Sequence, residues 1–152
     1  MNNSAEALES HCRLLVDSYQ SLLGKPLLNV NPQLSIREQL DAAEFVLLSH
    51  GKDSDPLFNY GNQQALQLFE LRWDELLQMP SRLSAEAINQ QQRAWLLAEV
   101  SAKGFIENYN GVRISKTGKR FEIHNAVVWN LYDQQHSFYG QAACFNQWTF
   151  LS

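Results

Sequence analysis

Few residues in this sequence have a type and spacing that could do chemistry. Arg113 stands in "GVRIS", an otherwise apolar stretch. Turned inward, its guanidinium would need a partner, because an unpaired buried charge is very costly. A ligand carboxylate or phosphate could meet it through two parallel hydrogen bonds. Turned outward, it would face Glu122 or Glu107 across a sheet, for a few tenths of a kcal/mol. The outer face is the expectation, because arginine is rarely fully buried. His124, in the middle of an expected strand, could act as a base with Glu122 on the same face. Nothing completes a nucleophile–base arrangement: there is no Gly-x-Ser-x-Gly, Cys-x-x-Cys or His-Glu-x-x-His. No catalytic residue is therefore assigned.

Two clusters imitate sites. "HGKDSD" (His50, Asp53, Asp55) is rich in oxygen donors but lacks the loop length and closing Glu of a calcium loop. A solvated turn suits it better, because Asp and Ser hydrogen-bond their own backbone. "GVRISKTGK" suggests a phosphate loop, yet its glycines are too far apart and a strand follows in place of a helix. No metal site is expected.

A binding site is the remaining possibility. Trp129, Trp148, Tyr109 and Phe121 could line a cavity between a sheet and its helices, with Arg82, Arg113, Asn125, Gln141 and Asn59 as its placed polar groups. Tyr60 joins Asn59 if the cavity reaches the end of their strand. The plainer alternative is that these aromatics fill an ordinary core, which aromatics dominate in any case.

The elements that must carry these residues can be read in order. Residues 4–23 form an amphipathic pattern that Ser4 can cap. Ala5, Leu8, Cys12, Leu15, Tyr19 and Leu22 lie on one stripe, and Gly24 and Pro26 end it. The loop "KPLLNVNPQL" is the one expected internal hinge, so residues 1–34 are read as a helix with linker and 35–152 as the main domain. The helix could pack on its own domain or on a second copy. Ser35 and Glu38 match a capping box. "EFVLLSHG" and "PLFNYG" read as paired strands around the turn "KDSD". Asn62 is an N-cap candidate, with Ala65, Leu66 and Phe69 facing inward after it. A helical turn from Trp73 ends at Pro80. Ser84 is expected to cap a helix over 85–103, with Ile88, Trp95, Leu96 and Val100 as its apolar residues and Gly104 closing it.

The last third is rich in Phe, Ile, Val, Tyr and Trp, in three segments separated by "KTGK" and "DQQH". That pattern predicts an antiparallel meander. Strict alternation puts Phe121, Ile123, Asn125, Val127, Trp129 and Leu131 on one face, and Glu122, His124, Ala126, Val128, Asn130 and Tyr132 on the other. Five antiparallel strands with helices over one face, plus an N-terminal amphipathic helix, make an α+β fold.

Composition agrees with one ordinary domain. The chain has 152 residues, 45% apolar and 18% charged, with a net charge of −4. No Lys/Arg run exceeds two residues, so the basic stripe that grips nucleic acid is missing. Cys12 and Cys144 stand far apart, which is neither a disulfide framework nor a metal spacing. No apolar run approaches the ~20 residues of a membrane span. "MNNSAEALES" has no basic start and no apolar core of a secretory signal, so a cytoplasmic protein is expected.

The element order resembles that of PAS domains. "FNYGNQQALQLFEL" followed by "WDELLQMP" is similar to the PAS segment in which an Asn-rich strand end caps a helix. "GVRISKTGKRFEIHNAVVWNLYDQQHSFYGQAACF" resembles the last three PAS strands, with Gly118 and Asp133 in the hairpins and Gly140 in the final strand. A narrower resemblance, over about residues 37–150, is to the PAS-related MEKHLA family, carried by "DPLFNYGN", "PSRLSAE" and "GQAA" among other motifs. That family occurs as short stand-alone bacterial and algal proteins and at the C-terminus of plant class III homeodomain–leucine zipper regulators. The chain is similar to the stand-alone bacterial type. The string that names the family is absent, as are homeodomain and zipper, so DNA binding does not carry over. The resemblance implies a sensory or interaction module, without a ligand or a catalytic residue. Haem or flavin is possible in a PAS-like fold, but no axial ligand stands out, and no Cys lies in the helical middle where photoactive flavin chemistry needs one. The expected function is a sensory or regulatory module that binds a small molecule or relays protein contacts. The alternatives are a homodimerising interaction domain with a filled core and, less favoured, a small-molecule enzyme.

Overall fold

The computed structural model of the chain describes residues 4–86 and 89–151. Helix α1 (Ser4–Leu23) leads through a loop to α2 (Ile36–Asp41), then the hairpin β1 (Val46–His50) and β2 (Phe58–Gly61). Helices α3 (Gln63–Phe69) and α4 (Trp73–Leu76) and a 3-10 turn (Ser81–Ser84) precede α5 (Gln90–Lys103). Strands β3 (Phe105–Ile114), β4 (Arg120–Tyr132), β5 (Phe138–Phe145) and β6 (Gln147–Phe150) complete the chain. The strands make one antiparallel sheet in the order β2-β1-β5-β4-β3. The last apolar segment, expected to be one strand, breaks near Asn146. Its two halves share one edge of β4: β5 pairs with Val127–Tyr132 and β6 with Phe121–His124. The sheet thus has six strands.

The sheet is covered on both faces. On the inner face α3 and α5 enclose a core that includes Phe69, Leu96, Val100, Phe121, Ile123 and Val128. On the outer face α1 buries Cys12, Leu15, Val16 and Tyr19 against Leu47, Trp129 and Leu131. Each such burial removes a side chain from water for roughly 1.5–3 kcal/mol. The stripe of α1 is therefore spent on the chain's own sheet. Glu9 of α1 accepts from the backbone N–H groups of Ile36 and Arg37, both at 2.9 Å, so α1 also holds the free amides at the start of α2.

Local signals hold where they concern short range. Ser35 and Glu38 form their capping box. Gly104, at φ +99°, ends α5. Asn62 caps α3 through a 3.1 Å bond from the Ala65 N–H to its Oδ1. The same oxygen accepts from the Leu47 N–H at 3.1 Å, while Nδ2 donates to the Leu40 and Phe45 carbonyls. One fully buried amide thus ties α2, β1 and α3 together.

Other expectations fail for definite reasons. Ser84 does not cap α5, because its hydroxyl donates to the Ser81 carbonyl at 2.7 Å inside the 3-10 turn. Trp95 is 56% exposed, on the far side of α5 from Leu96. The side chains of Ser4 and Ile88 lie outside the described residues. The alternation along β4 breaks at Asn125, which sits at φ +55°. His124 and Asn125 together oppose Asn110 between the pairs Tyr109–Ala126 and Gly111–Ile123. This is a β-bulge, and one extra residue moves every later side chain to the opposite face. Ala126 and Val128 therefore join Phe121 and Ile123 inside, while Trp129 and Leu131 turn outward under α1.

Candidate functional site

A cavity of ≈ 80 Å³, partly open to solvent, lies between the inner sheet face, α5 and the 3-10 turn. Its apolar wall includes Leu48, Phe58, Leu96, Ile123, Val128 and Phe145. Its polar groups come from five elements: Ser49 and His50 on β1, Ser81 and Ser84 on the turn, Arg93 on α5, Tyr109 and Arg113 on β3, and Gln141 on β5.

Arg113 is 9% exposed and faces inward, contrary to the outer-face expectation. It pairs across the sheet with Phe121, and Val112, not Arg113, opposes Glu122. Its Nη1 donates to the Val112 carbonyl at 2.8 Å and its Nη2 to the Tyr109 hydroxyl at 3.4 Å. The guanidinium also lies 5.7 Å from the centre of the Tyr109 ring, within cation–π range. Gly111 makes this possible: a Cβ there would come within 2.4 Å of the Tyr109 hydroxyl, so the ring folds back over a residue with no side chain. Among the described residues no carboxylate lies within 4.0 Å of Arg113 or Arg93.

Arg93 escaped the sequence reading, although its spacing to Leu96 and Val100 marks it as a cation on an apolar stripe. Its Nη2 donates to the Ser81 hydroxyl. Burial, with the Arg113 charge as second cause, lowers its pKa to about 10, so it stays cationic at neutral pH. His50 donates from Nδ1 to the Gly51 carbonyl at 2.9 Å. Burial lowers its pKa, and the Arg93 charge adds to that, so the ring is neutral. A neutral ring with its proton on Nδ1 leaves Nε2 an acceptor, and Nε2 is buried without a partner.

Gln141 lines the cavity at its α5 end. Its Nε2 is shared among Asn130 Oδ1 (3.1 Å), Ser101 Oγ (3.2 Å) and the Leu97 carbonyl (3.3 Å). Asn130 donates in turn to the Val100 carbonyl at 3.0 Å. The pair fastens α5 to β4 and β5.

Of the residues singled out by sequence, Tyr109, Arg113 and Gln141 come together at the cavity. The other seven lie elsewhere. Phe121 packs edge-on to Phe69 in the inner core without lining the cavity. Arg82 pairs with Asp55 at 3.0 Å on the surface. Asn59 accepts from the Ser49 hydroxyl at 2.5 Å, and Tyr60 is fully buried in the outer core with its hydroxyl on Asp41. Asn125 is exposed at the bulge, its Nδ2 on Gln147 at 3.2 Å. Trp129 is fully buried in the outer core, edge-on to Tyr19 at 4.9 Å. Trp148 packs edge-on to Phe145 from β6.

Two histidines outside the cavity have defined partners. His124 meets Thr149 at 2.9 Å across β4 and β6, away from the cavity. His11 meets Ser49 at 2.9 Å in the outer core. Ser49 donates its one proton to Asn59, so His11 Nε2 donates to Ser49, the reverse of what a general base does. Among the described residues there is no cluster of three metal-ligating side chains, and no helix is long and apolar enough to cross a membrane.

Comparison with solved structures places this architecture. The PAS domain of a Colwellia psychrerythraea protein superposes with a TM-score of 0.62 at 10% identity, covering 75% of this chain and 92% of that one. A PAS domain from a two-component sensor histidine kinase gives 0.58 at 16% identity, covering 76% and 92%. A light-oxygen-voltage domain, described with a flavin analogue, gives 0.59 at 14% identity, covering 76% and 83%. At such identities the likeness is one of fold. Comparison with curated proteins by sequence returns no match. The family model described as "MEKHLA domain" matches residues 9–150, from α1 to the end of β6. Nearly the whole chain thus carries that pattern on a PAS-like fold, and the protein belongs to the MEKHLA domain family.

Proposed function

We propose that this chain is a sensory or regulatory module that binds a small molecule in the cavity beneath its sheet. The observation that carries the reading is Arg113: a cation nine-tenths buried, in a mostly apolar cavity, without a carboxylate partner among the described residues. Burying a charge without a counter-charge costs several kcal/mol, and a protein that keeps such a cation beside an open space has a use for it. The cavity volume of ≈ 80 Å³ suits a ligand of a few heavy atoms, well below the roughly 300–1,000 Å³ of drug-sized pockets.

A flavin does not belong to this proposal. A tricyclic ring does not fit the volume, and Cys12 and Cys144 both pack in the outer core, across the sheet from the cavity. Catalysis is not part of it either.

Native mass spectrometry of protein purified without refolding, beside a denatured control, tests the reading. A mass excess that disappears on denaturation is expected. Bare protein would favour the second reading, a module that works through protein contacts. Exposed Trp95, Leu83 and Leu57, at 56%, 50% and 45%, support that alternative. A homodimer would use such surfaces and not the stripe of α1, and the same spectrum reports it.

A further inference from the structure

Three features of the cavity have separate chemical demands. Arg113 and Arg93 place two guanidiniums on one space, each raising the cost of the other; among the described residues no carboxylate lies within 4.0 Å of either, and Asp55 offsets Arg93 only from farther away. Apolar side chains from the sheet, α3 and α5 make up most of the wall, so a bare, fully hydrated anion would lose its water to groups that cannot replace it. His50 presents an acceptor, Nε2, that nothing in the protein satisfies. A buried acceptor left unpaired costs about 1–3 kcal/mol.

From these demands, and resting on the reading of the cavity as a ligand site, we infer that the ligand is a short aliphatic hydroxy acid. Its carboxylate lies between Arg113 and Arg93, its hydroxyl donates to His50 Nε2, and its carbon tail meets the apolar wall. An ammonium group could also donate to His50, but the two arginines repel it. Inorganic phosphate satisfies the arginines and leaves the apolar wall unused. A neutral diol satisfies His50 and leaves the arginines unpaired.

The test is calorimetric titration of the full chain with 2-hydroxybutanoate, butanoate, 1,2-butanediol and inorganic phosphate. Amide spectra locate any binding, and thermal melts check that each variant is folded. 2-Hydroxybutanoate is expected to bind about tenfold more tightly than butanoate, shifting the amides of Leu48, Ile123 and Gln141, with the diol and phosphate inert. Arg113→Met should abolish binding. Should that variant fail to fold, Arg113→Lys keeps the charge, loses the planar fork and should weaken binding. His50→Phe should erase the preference for the hydroxyl while butanoate still binds.

Equal binding of butanoate and the hydroxy acid would overturn the role of His50. Diol binding as tightly as the acid, or phosphate alone binding, would overturn the hydroxy-acid class. If every probe is inert while purified protein carries a mass excess, this inference fails and the cavity reading stands. If every probe is inert and the protein is bare, both fail.

Discussion

The guanidinium of Arg113 lies over the ring of Tyr109, 5.7 Å from its centre, with Nη2 at 3.4 Å from the phenol oxygen. The two residues are four apart on β3, and the glycine midway between them gives the ring room to fold over the strand. The one buried arginine in the cavity is thus held by a neighbour that depends on a missing side chain.

Gly111→Ala should therefore disturb the cavity more than the fold. Its Cβ would sit 2.4 Å from the Tyr109 hydroxyl, and that ring is the group free to move. The expected result is a displaced Tyr109 in a crystal structure of the variant, with a loss of stability on the order of 1 kcal/mol. A Tyr109 ring left in place would show that Gly111 is not needed for this geometry.

Trp129→Ala should unfold or strongly weaken the protein instead of emptying the cavity. The indole is fully buried in the outer core beneath Tyr19, on the sheet face away from Arg113. Removing it should cost about 3–5 kcal/mol. Trp129→Phe should cost much less, because the indole N–H it removes has no partner. Denaturant melts of both variants decide the matter, and similar losses for the two would be inconsistent with an unpaired N–H.

Asn62 separates capping from the wider network it serves. Asn62→Ala should lose about 3 kcal/mol or more, since it removes a cap and strands several buried backbone groups. Asn62→Asp keeps a good N-cap oxygen, yet sets a carboxylate against the Leu40 and Phe45 carbonyls. It should be destabilising as well. If urea unfolding finds Asn62→Asp as stable as the parent chain, capping alone explains the residue.

Stability should fall between pH 7 and pH 5 through His11. Burial lowers its pKa from 6.5 to about 4, so the folded state holds it neutral. In this window the unfolded chain binds more protons, and stability drops with pH and levels off below about 4. The loss from this residue by pH 5 is about 2 kcal/mol. His50 is shifted in the same direction by burial and adds to the slope. Urea midpoints of the parent chain and of His11→Gln across this range measure the effect. An unchanged slope in the variant would exclude His11 as its source.

Much of the fold was legible because much of it is local. The Ser35–Glu38 capping box, the Asn62 cap, the Gly104 stop and the stripe of α1 each depend on residues within a turn or two of each other, so residue type and spacing suffice. The α+β class and the strand-rich last third followed from the same reasoning. Tyr109, Arg113 and Gln141 could be marked as candidates because they are polar or amphipathic groups on apolar strands.

Sidedness was not legible, because it is set by partners distant in the chain. The Asn125 bulge shows as nothing more than one polar residue in an alternating strand, yet it sends Trp129 to one core and Val128 to the other. Arg113 faces inward with Tyr109 and Gly111, at alternate positions of β3 that follow the extra residue β3 carries between Ile106 and Tyr109. Arg93 and His50 join the site because α5 packs on β3 and β4 and so brings Arg93 to the cavity that the end of β1 also lines, a meeting that no spacing in the sequence encodes. Residue type therefore determined which groups could do chemistry, and strand register, counted across the sheet, decided which of them share a space.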